Sequence, residues 1–282
     1  MDDLRTFIAA SLARPVPPEI AAMAEHVRAQ HPQVRAVLAY GSCLRGVATS
    51  ESLIDLYVLT QGFEGVSPNA LSRWGCRLVP PNVYYAENEF EGRTYRAKYA
   101  VLPLPQFASW MNASNPYFWA RFSQPSALVY HADEQSREDL VDAIAAALRR
   151  MYAHALALPP SPDPWATGFA ATYGTELRAE SAARADTLVT ANESYYREAA
   201  NLMRGTPPVN TKWPLRRAEG KFLSVLRLMK AAFTFSGGAD YIAWKIERHS
   251  GQKVELSDWQ RRHPILAGIT LLPQLIRRGA VR

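Results

Sequence analysis

Hydrophobic and polar positions along the chain alternate between two periods, and they do so in blocks. Residues 18–30 (PEIAAMAEHVRAQ) carry the spacing of an amphipathic helix. VRAVLAYGS at 34–42 reads as an apolar strand running into a Gly-Ser turn, and SLIDLYVLT at 52–60 as a second strand rich in β-branched and aromatic residues. A third strand runs through RTYRAKYAVLPL at 93–104, paired with NVYYAENEFEG before it. Residues 134–157 predict a long helix with Ala and Leu on one face. The second half predicts helices over roughly 166–203, 217–234 and 238–249, then a final segment at 264–279.

Proline punctuates this pattern at 15–18, 80–81, 159–164 and 207–208, and 204–214 reads as a polar loop. The stretch at 159–164 (PPSPDP) follows a long helix and cannot continue it, so it is the natural boundary. The expected architecture is a mixed α/β domain over 1–158 followed by a mainly helical domain over 165–282. No repeat of fixed period interrupts it.

Composition narrows the class. With 282 residues, 48% apolar and 21% charged, the chain is neither disordered nor fibrous, and it is long enough to bury a core without staples. Two cysteines, Cys43 and Cys76, make neither a disulfide framework nor a zinc cluster, so a reducing compartment is expected. Acids directly after Met1 and the lack of a sustained apolar run argue against a signal peptide, a transit peptide or a membrane-spanning helix. The expected location is therefore cytoplasmic. The balance of 32 basic and 26 acidic residues gives +6, and 26 of the 32 are Arg. Arg suits two-pronged grips on phosphate or carboxylate, but a GC-rich genome gives the same excess. No basic stripe or recognition motif accompanies the charge, so nucleic acid is not the expected partner.

The sharpest local feature is Tyr40-Gly41-Ser42 followed on the next strand by Asp55. A strand that ends in Gly-Ser lets the backbone approach a phosphate, whose oxygens the turn's N–H groups can cradle. The next strand sets a carboxylate beside that phosphate, where it can hold Mg²⁺. This is the layout of the nucleotidyltransferase fold, in which a metal-bound nucleoside triphosphate is attacked at its α-phosphorus. The usual Asp-x-Asp pattern is altered, because Tyr57 stands on the same strand face where the second acid is expected. Taken alone, the pattern is weak and is more often that of an ordinary strand turn.

Three further stretches occur in order after YGSCLRGVATSESLIDLYVL: NVYYAENEFEGRTYRAKYAVLPLPQFASWM, PYFWARFSQPSALVY and ATYGTELRAES. Together, over roughly residues 34–200, they resemble the mitochondrial-type phosphatidate cytidylyltransferases, the translocator assembly and maintenance family. That family also has an aromatic and apolar run in place of a second acid. The resemblance implies that Gly41 and Ser42 contact the triphosphate of CTP and that Asp55 holds Mg²⁺. It implies that Lys98, in RAKYAVL, neutralises phosphate charge, where the residue alone reads as an exposed strand lysine. Arg121 and Gln124-Pro125 match a Gly-Arg-Leu-Gln-Lys-Pro stretch loosely, with Gln124 where the family has Lys. Tyr173, Glu176 and Arg178 fall on a Tyr-Ser-Gly-Asp-Phe-Arg motif and are expected at the nucleotide site. Glu180 corresponds to a following acid.

On a continuous helix, Tyr173 and Glu176 share a face, as do Glu176 and Glu180; two like charges there need a cation, for which Arg184, Lys98 or a metal are the candidates. A solvated acidic face explains the same spacing. Cys43 has no activating His and reads as a packing residue, and the six histidines show no metal-ligand spacing. Glu51 reads as an exposed turn residue. Tyr84, Tyr85, Tyr95 and Tyr99 read as sheet packing rather than base stacking.

Near the end, Ile265, Leu266, Ile269, Leu272 and Ile276 recur at helical steps before Arg277, Arg278 and Arg282. Such a segment suits either the protein core or an anionic membrane surface. The resemblance implies the latter, a peripheral location on the inner face of the plasma membrane, and a winged-helix-like second domain. The expected partners are CTP, phosphatidate and an acidic lipid surface. Two other classes stay open: a nucleotidyltransferase acting on an antibiotic, protein or RNA end, and a nucleotide-binding or membrane-adaptor module without turnover.

Overall fold

The computed structural model describes residues 3–44, 53–176, 182–234 and 257–262. Its centre is a mixed five-stranded sheet of order β3-β4-β2-β1-β5, formed by β1 (Val34–Tyr40), β2 (Leu53–Thr60), β3 (Asn82–Phe90), β4 (Arg93–Pro103) and β5 (Ser126–His131). β3 and β4 form an antiparallel hairpin, and β1 pairs antiparallel with both β2 and β5. The β2–β4 pair alone is parallel, with Asp55 opposite Lys98 and Tyr57 opposite Ala100. β1 and β2 are buried on both faces, which is why they read as apolar runs rather than as alternations.

Helices α1 (Asp3–Leu12) and α2 (Pro18–Arg28) precede the sheet. α2 buries Ile20, Met23, Ala24 and Val27, and the residues just beyond it meet the sheet: His31 packs on Tyr84 and Tyr99, and the Tyr99 hydroxyl donates to Gln30 Oε1. Helices α3 (Ala70–Leu78), α4 (Leu104–Met111), α5 (Trp119–Phe122) and α6 (Glu134–Leu156) follow. On the face opposite α2, Phe107 of α4 and Phe118 and Phe122 around α5 enclose Tyr57 with tilted and edge-on ring contacts 4.8–6.2 Å between centroids.

The segment after the Pro-rich stretch is not one helix over 166–203 but three: α7 (Pro164–Tyr173), α8 (Ala182–Thr190) and α9 (Glu193–Leu202). Asp163 caps α7 by accepting from the Trp165 and Ala166 amides, with Pro164 in the first turn where its missing N–H costs nothing. α7 packs on α6 and α8, and α9 reaches α1. The strand β5 and the helices α1, α3 and α4 are short elements that the sequence pattern did not mark. α10 (Trp213–Thr234) starts four residues before the expected 217 and ends where expected. A short helical turn spans Asp258–Arg262. The segments expected at 238–249 and 264–279 lie outside the described residues. No described helix is long and apolar enough to cross a membrane. The chain is thus of the α/β class, with a mixed sheet among many helices.

Candidate functional site

The parallel strand pair sets the centre of the site. β1 ends at Tyr40 and turns through a single 3₁₀ helix, Gly41–Leu44. Gly41 has φ of +82°, a backbone region that L side chains rarely adopt, and a Cβ there would lie 3.3 Å from Asp55 Oδ2. The turn therefore approaches the carboxylate as closely as it does because residue 41 is glycine. Cys43 is buried under the turn, with its thiol donating to the Tyr40 carbonyl at 3.1 Å, a packing role as expected.

Across from Asp55 on β4, Lys98 is exposed and borders the same cavity. The two readings of Lys98 therefore coincide: a strand lysine facing outward, but outward into a pocket. Burial raises the Asp55 carboxyl above its ordinary value; Lys98 and then Arg121 oppose that shift without cancelling it. A desolvated carboxylate facing two cations is poised for a further positive charge.

The cavity has a volume of about 340 Å³. Gly41, Ser42, Asp55 and Lys98 form the sheet side, and Tyr117, Arg121 and Gln124 come from around α5. Tyr173, Thr175 and Glu176 close it from the end of α7, and Arg184 from α8. Tyr173 and Glu176 both face the cavity, though not as helix neighbours. α7 stops at Tyr173, and the Glu176 amide donates back to the Tyr173 carbonyl at 3.2 Å in the turn that follows. Arg121 lies 3.8 Å from Glu176 and supplies a cation that was not among those weighed from sequence. Arg178, Glu180, Glu51, Arg277, Arg278 and Arg282 lie outside the described residues.

Arg121 is the hub that the sequence left as a loose match. Its Nη1 donates to the hydroxyls of Tyr57 and Tyr117, each at 3.3 Å, and its guanidinium lies 4.6 Å from the Tyr117 ring centroid. Burial alone would lower its pKa, but Tyr117, Tyr57, Tyr40 and Glu176 outweigh burial and hold it firmly charged. Tyr57, in the place of a second acid, is fully buried and raised by that burial, so it stays a neutral phenol that accepts from Arg121. A tyrosine there cannot ligate a metal as a carboxylate does. It positions a cation instead.

Two further residues escaped the sequence reading. Tyr117 precedes Arg121 by one helical turn in PYFWARF, a spacing that could have flagged the pair. Arg227 of α10 left no signal, because only the fold brings it over the Tyr117 ring at 3.6 Å, with Nε donating to the Pro80 carbonyl at 3.1 Å. α10 comes this close because Gly220 packs against the lining residue Thr175, where a Cβ would be 2.3 Å from the Thr175 carbonyl oxygen. Tyr84 and Tyr99 are buried and stacked in the sheet, as expected.

As a binding surface, the cavity combines three cations, two carboxylates and a glycine turn. Mg²⁺ takes oxygen ligands and is commonly held by one or two carboxylates plus substrate phosphates rather than by an all-protein cage. Asp55 and Glu176 supply that number of acids, and no group of three His, Cys, Asp or Glu able to hold a metal occurs among the described residues. The donor set therefore fits an ion carried in with a polyphosphate. No protein-family model matches the chain, and no curated protein matches it either.

Proposed function

We propose that the chain is a nucleotidyltransferase similar to the mitochondrial-type phosphatidate cytidylyltransferases, making CDP-diacylglycerol and pyrophosphate from CTP and phosphatidate. The observation that carries the reading is convergence. Gly41, Ser42, Asp55, Lys98, Tyr173 and Glu176, singled out from stretches far apart in sequence, line a single cavity. Under this reading the sheet and its helices are the nucleotidyltransferase-like domain, and the helices after the Pro-rich stretch belong to a second, winged-helix-like one.

A phosphate oxygen of phosphatidate attacks the α-phosphorus of CTP, and the bond from that phosphorus to the bridging oxygen breaks as pyrophosphate leaves. The nucleophile is already an anion, so no proton need be removed. The task is to hold two anions together and to neutralise the charge that develops on the leaving group. Backbone N–H groups at Gly41–Ser42 face the triphosphate, while Lys98, Arg121 and Arg184 offset its charge. Asp55, with Glu176 nearby, would hold Mg²⁺, which when bound polarises phosphoryl oxygens. Burial of Tyr57 beneath Arg121 fixes that guanidinium's direction before substrate arrives.

The test is to incubate the protein with each labelled nucleoside triphosphate, Mg²⁺ and phosphatidate vesicles. Lipid-dependent pyrophosphate release from CTP supports the reading. Transfer to an antibiotic, protein or RNA end moves the chain to another acceptor class, and binding without turnover makes it a nucleotide-binding module.

A further inference from the structure

One face of α10 packs on the molecule, and the opposite one carries exposed apolar side chains. Gly220 and Arg227 point into the molecule, against Thr175 and Tyr117 of the cavity wall. On the opposite side Leu215, Phe222, Val225 and Met229 recur at seven-, three- and four-residue steps, a stripe one helix face wide. α3 adds a stripe of its own, Leu71, Trp74 and Leu78. All seven side chains are between 42% and 74% exposed. The two helices touch through one side chain: Lys230, next to Met229, lies against Gly75, next to Trp74, where a Cβ would be 3.1 Å from Lys230 Cδ. Lys230 also donates to the Val79 and Pro81 carbonyls just beyond α3. The two exposed stripes therefore flank one point of contact, made by Lys230.

Both stripes have cations beside them. Arg77 on α3 and Lys221 on α10 are exposed. α3 has no acid, and the single acid of α10, Glu219, is paired with Arg216. Scattered exposed apolar residues are normal in proteins, but aligned stripes that include Trp and Phe with cations beside them on the same helices mark an interaction site. A protein partner would be expected to meet such cations with acids. Large apolar side chains flanked by Lys and Arg match the boundary between the headgroups and acyl chains of an anionic bilayer.

We infer that the α3–α10 face docks the protein on an anionic lipid surface, with Trp74 and Phe222 inserted at the acyl boundary. The surface chemistry is independent of the catalytic reading; the choice of a bilayer also gains support from the lipid acceptor proposed above, and to that extent rests on it. One helix then serves two purposes, because the residues facing away from the lipid, Gly220 and Arg227, back the lining residues Thr175 and Tyr117.

The test uses the full-length chain and two variants, Trp74→Glu and Phe222→Glu, both at exposed positions. Co-sedimentation is measured with vesicles of phosphatidylcholine alone and with vesicles containing 30 mol% (about a third) phosphatidate or phosphatidylglycerol, the mixture chosen to give a clearly anionic surface. Circular dichroism checks the fold, and CTP turnover is measured in parallel with a short-chain phosphatidate that stays in solution. The wild type should bind the anionic vesicles and not the neutral ones, and each variant should bind roughly tenfold more weakly or worse. Short-chain turnover should be unchanged in the variants. Equal vesicle binding by wild type and variants overturns the inference and moves membrane contact elsewhere on the chain. A wild-type dimer that both variants dissociate, with no effect on vesicle binding, overturns it in favour of a second copy. Absence of turnover in every protein, with vesicle binding still lost in the variants, leaves the docking face standing and removes the catalytic reading alone.

Discussion

Asp55 and Lys98 stand directly opposite one another on parallel strands β2 and β4, side by side at the mouth of the cavity. Neither is a conventional buried ion-pair partner, because Lys98 is exposed while Asp55 is desolvated enough that burial raises its carboxyl. The pair leaves Asp55 with a deficit of positive charge, and that deficit has measurable consequences.

The first concerns stability. A carboxyl raised by burial binds protons more readily in the folded chain than in the unfolded one. Its contribution therefore favours folding below its ordinary pKa of 3.8, and it is lost as pH rises through the folded value. At pH 7 the ionised Asp55 is a cost. Asp55→Asn should melt at the same temperature as wild type or a few degrees higher, while losing activity. Calorimetry at pH 7 checks it; a clearly lower melting temperature would show that the carboxylate is structural.

Mg²⁺ with CTP should raise the melting temperature of the wild type by mass action, since ligand binds the folded chain alone. Asp55→Asn should show little of that rise. Thermal shift with CTP and Mg²⁺, and again after EDTA, separates the effect of the ion from that of the nucleotide.

Gly41→Ala places a side chain at φ +82° and 3.3 Å from Asp55 Oδ2. The left-handed conformation costs about 1–2 kcal/mol for an L residue. The turn must also back away from the carboxylate, so activity should fall far more than stability does. Paired denaturation and CTP-turnover measurements would show this split.

Tyr57→Phe removes a hydroxyl that accepts from Arg121 at 3.3 Å and keeps the ring among Phe107, Phe118 and Phe122. The expected loss of stability is about 0.5–1.5 kcal/mol. Turnover should fall modestly, because Tyr117 and Glu176 still hold the guanidinium. Urea titration and initial rates are the two readouts.

Two histidines bring a pH dependence of their own. Burial lowers His154, which lies between the Val209 carbonyl and Thr211, and also lowers His31, beside the Gly65 carbonyl. The unfolded chain then takes up protons first as pH falls below the ordinary value of 6.5, so stability from this source is present above that pH and lost below it. The melting temperature should drop between pH 7 and pH 5.5, and the drop should persist in Asp55→Asn.

The strands at the centre were legible because apolar runs and a Gly-Ser ending mark β1, β2 and β4 locally. β5 (SALVYH) was not, because six residues after a short aromatic helix carry too little periodicity to separate strand from helix. The same holds for the site. Asp55 and Gly41 are close in sequence, and alternation alone places Asp55 and Tyr57 on one face. Glu176 was assigned to a helix that in fact ends at Tyr173, yet it still reaches the cavity through the turn. Arg227 on Tyr117 is a purely tertiary contact, set by the close approach of Gly220 to Thr175, and no local pattern encodes it.

The most direct measurement is turnover of CTP labelled at its α-phosphate, with Mg²⁺ and phosphatidate vesicles, by wild type and by Asp55→Ala. The expected result is label in CDP-diacylglycerol with the wild type and none above background with the variant, whose circular dichroism and melting remain those of a folded protein. Full activity in Asp55→Ala, or no lipid product from the wild type, would contradict the account.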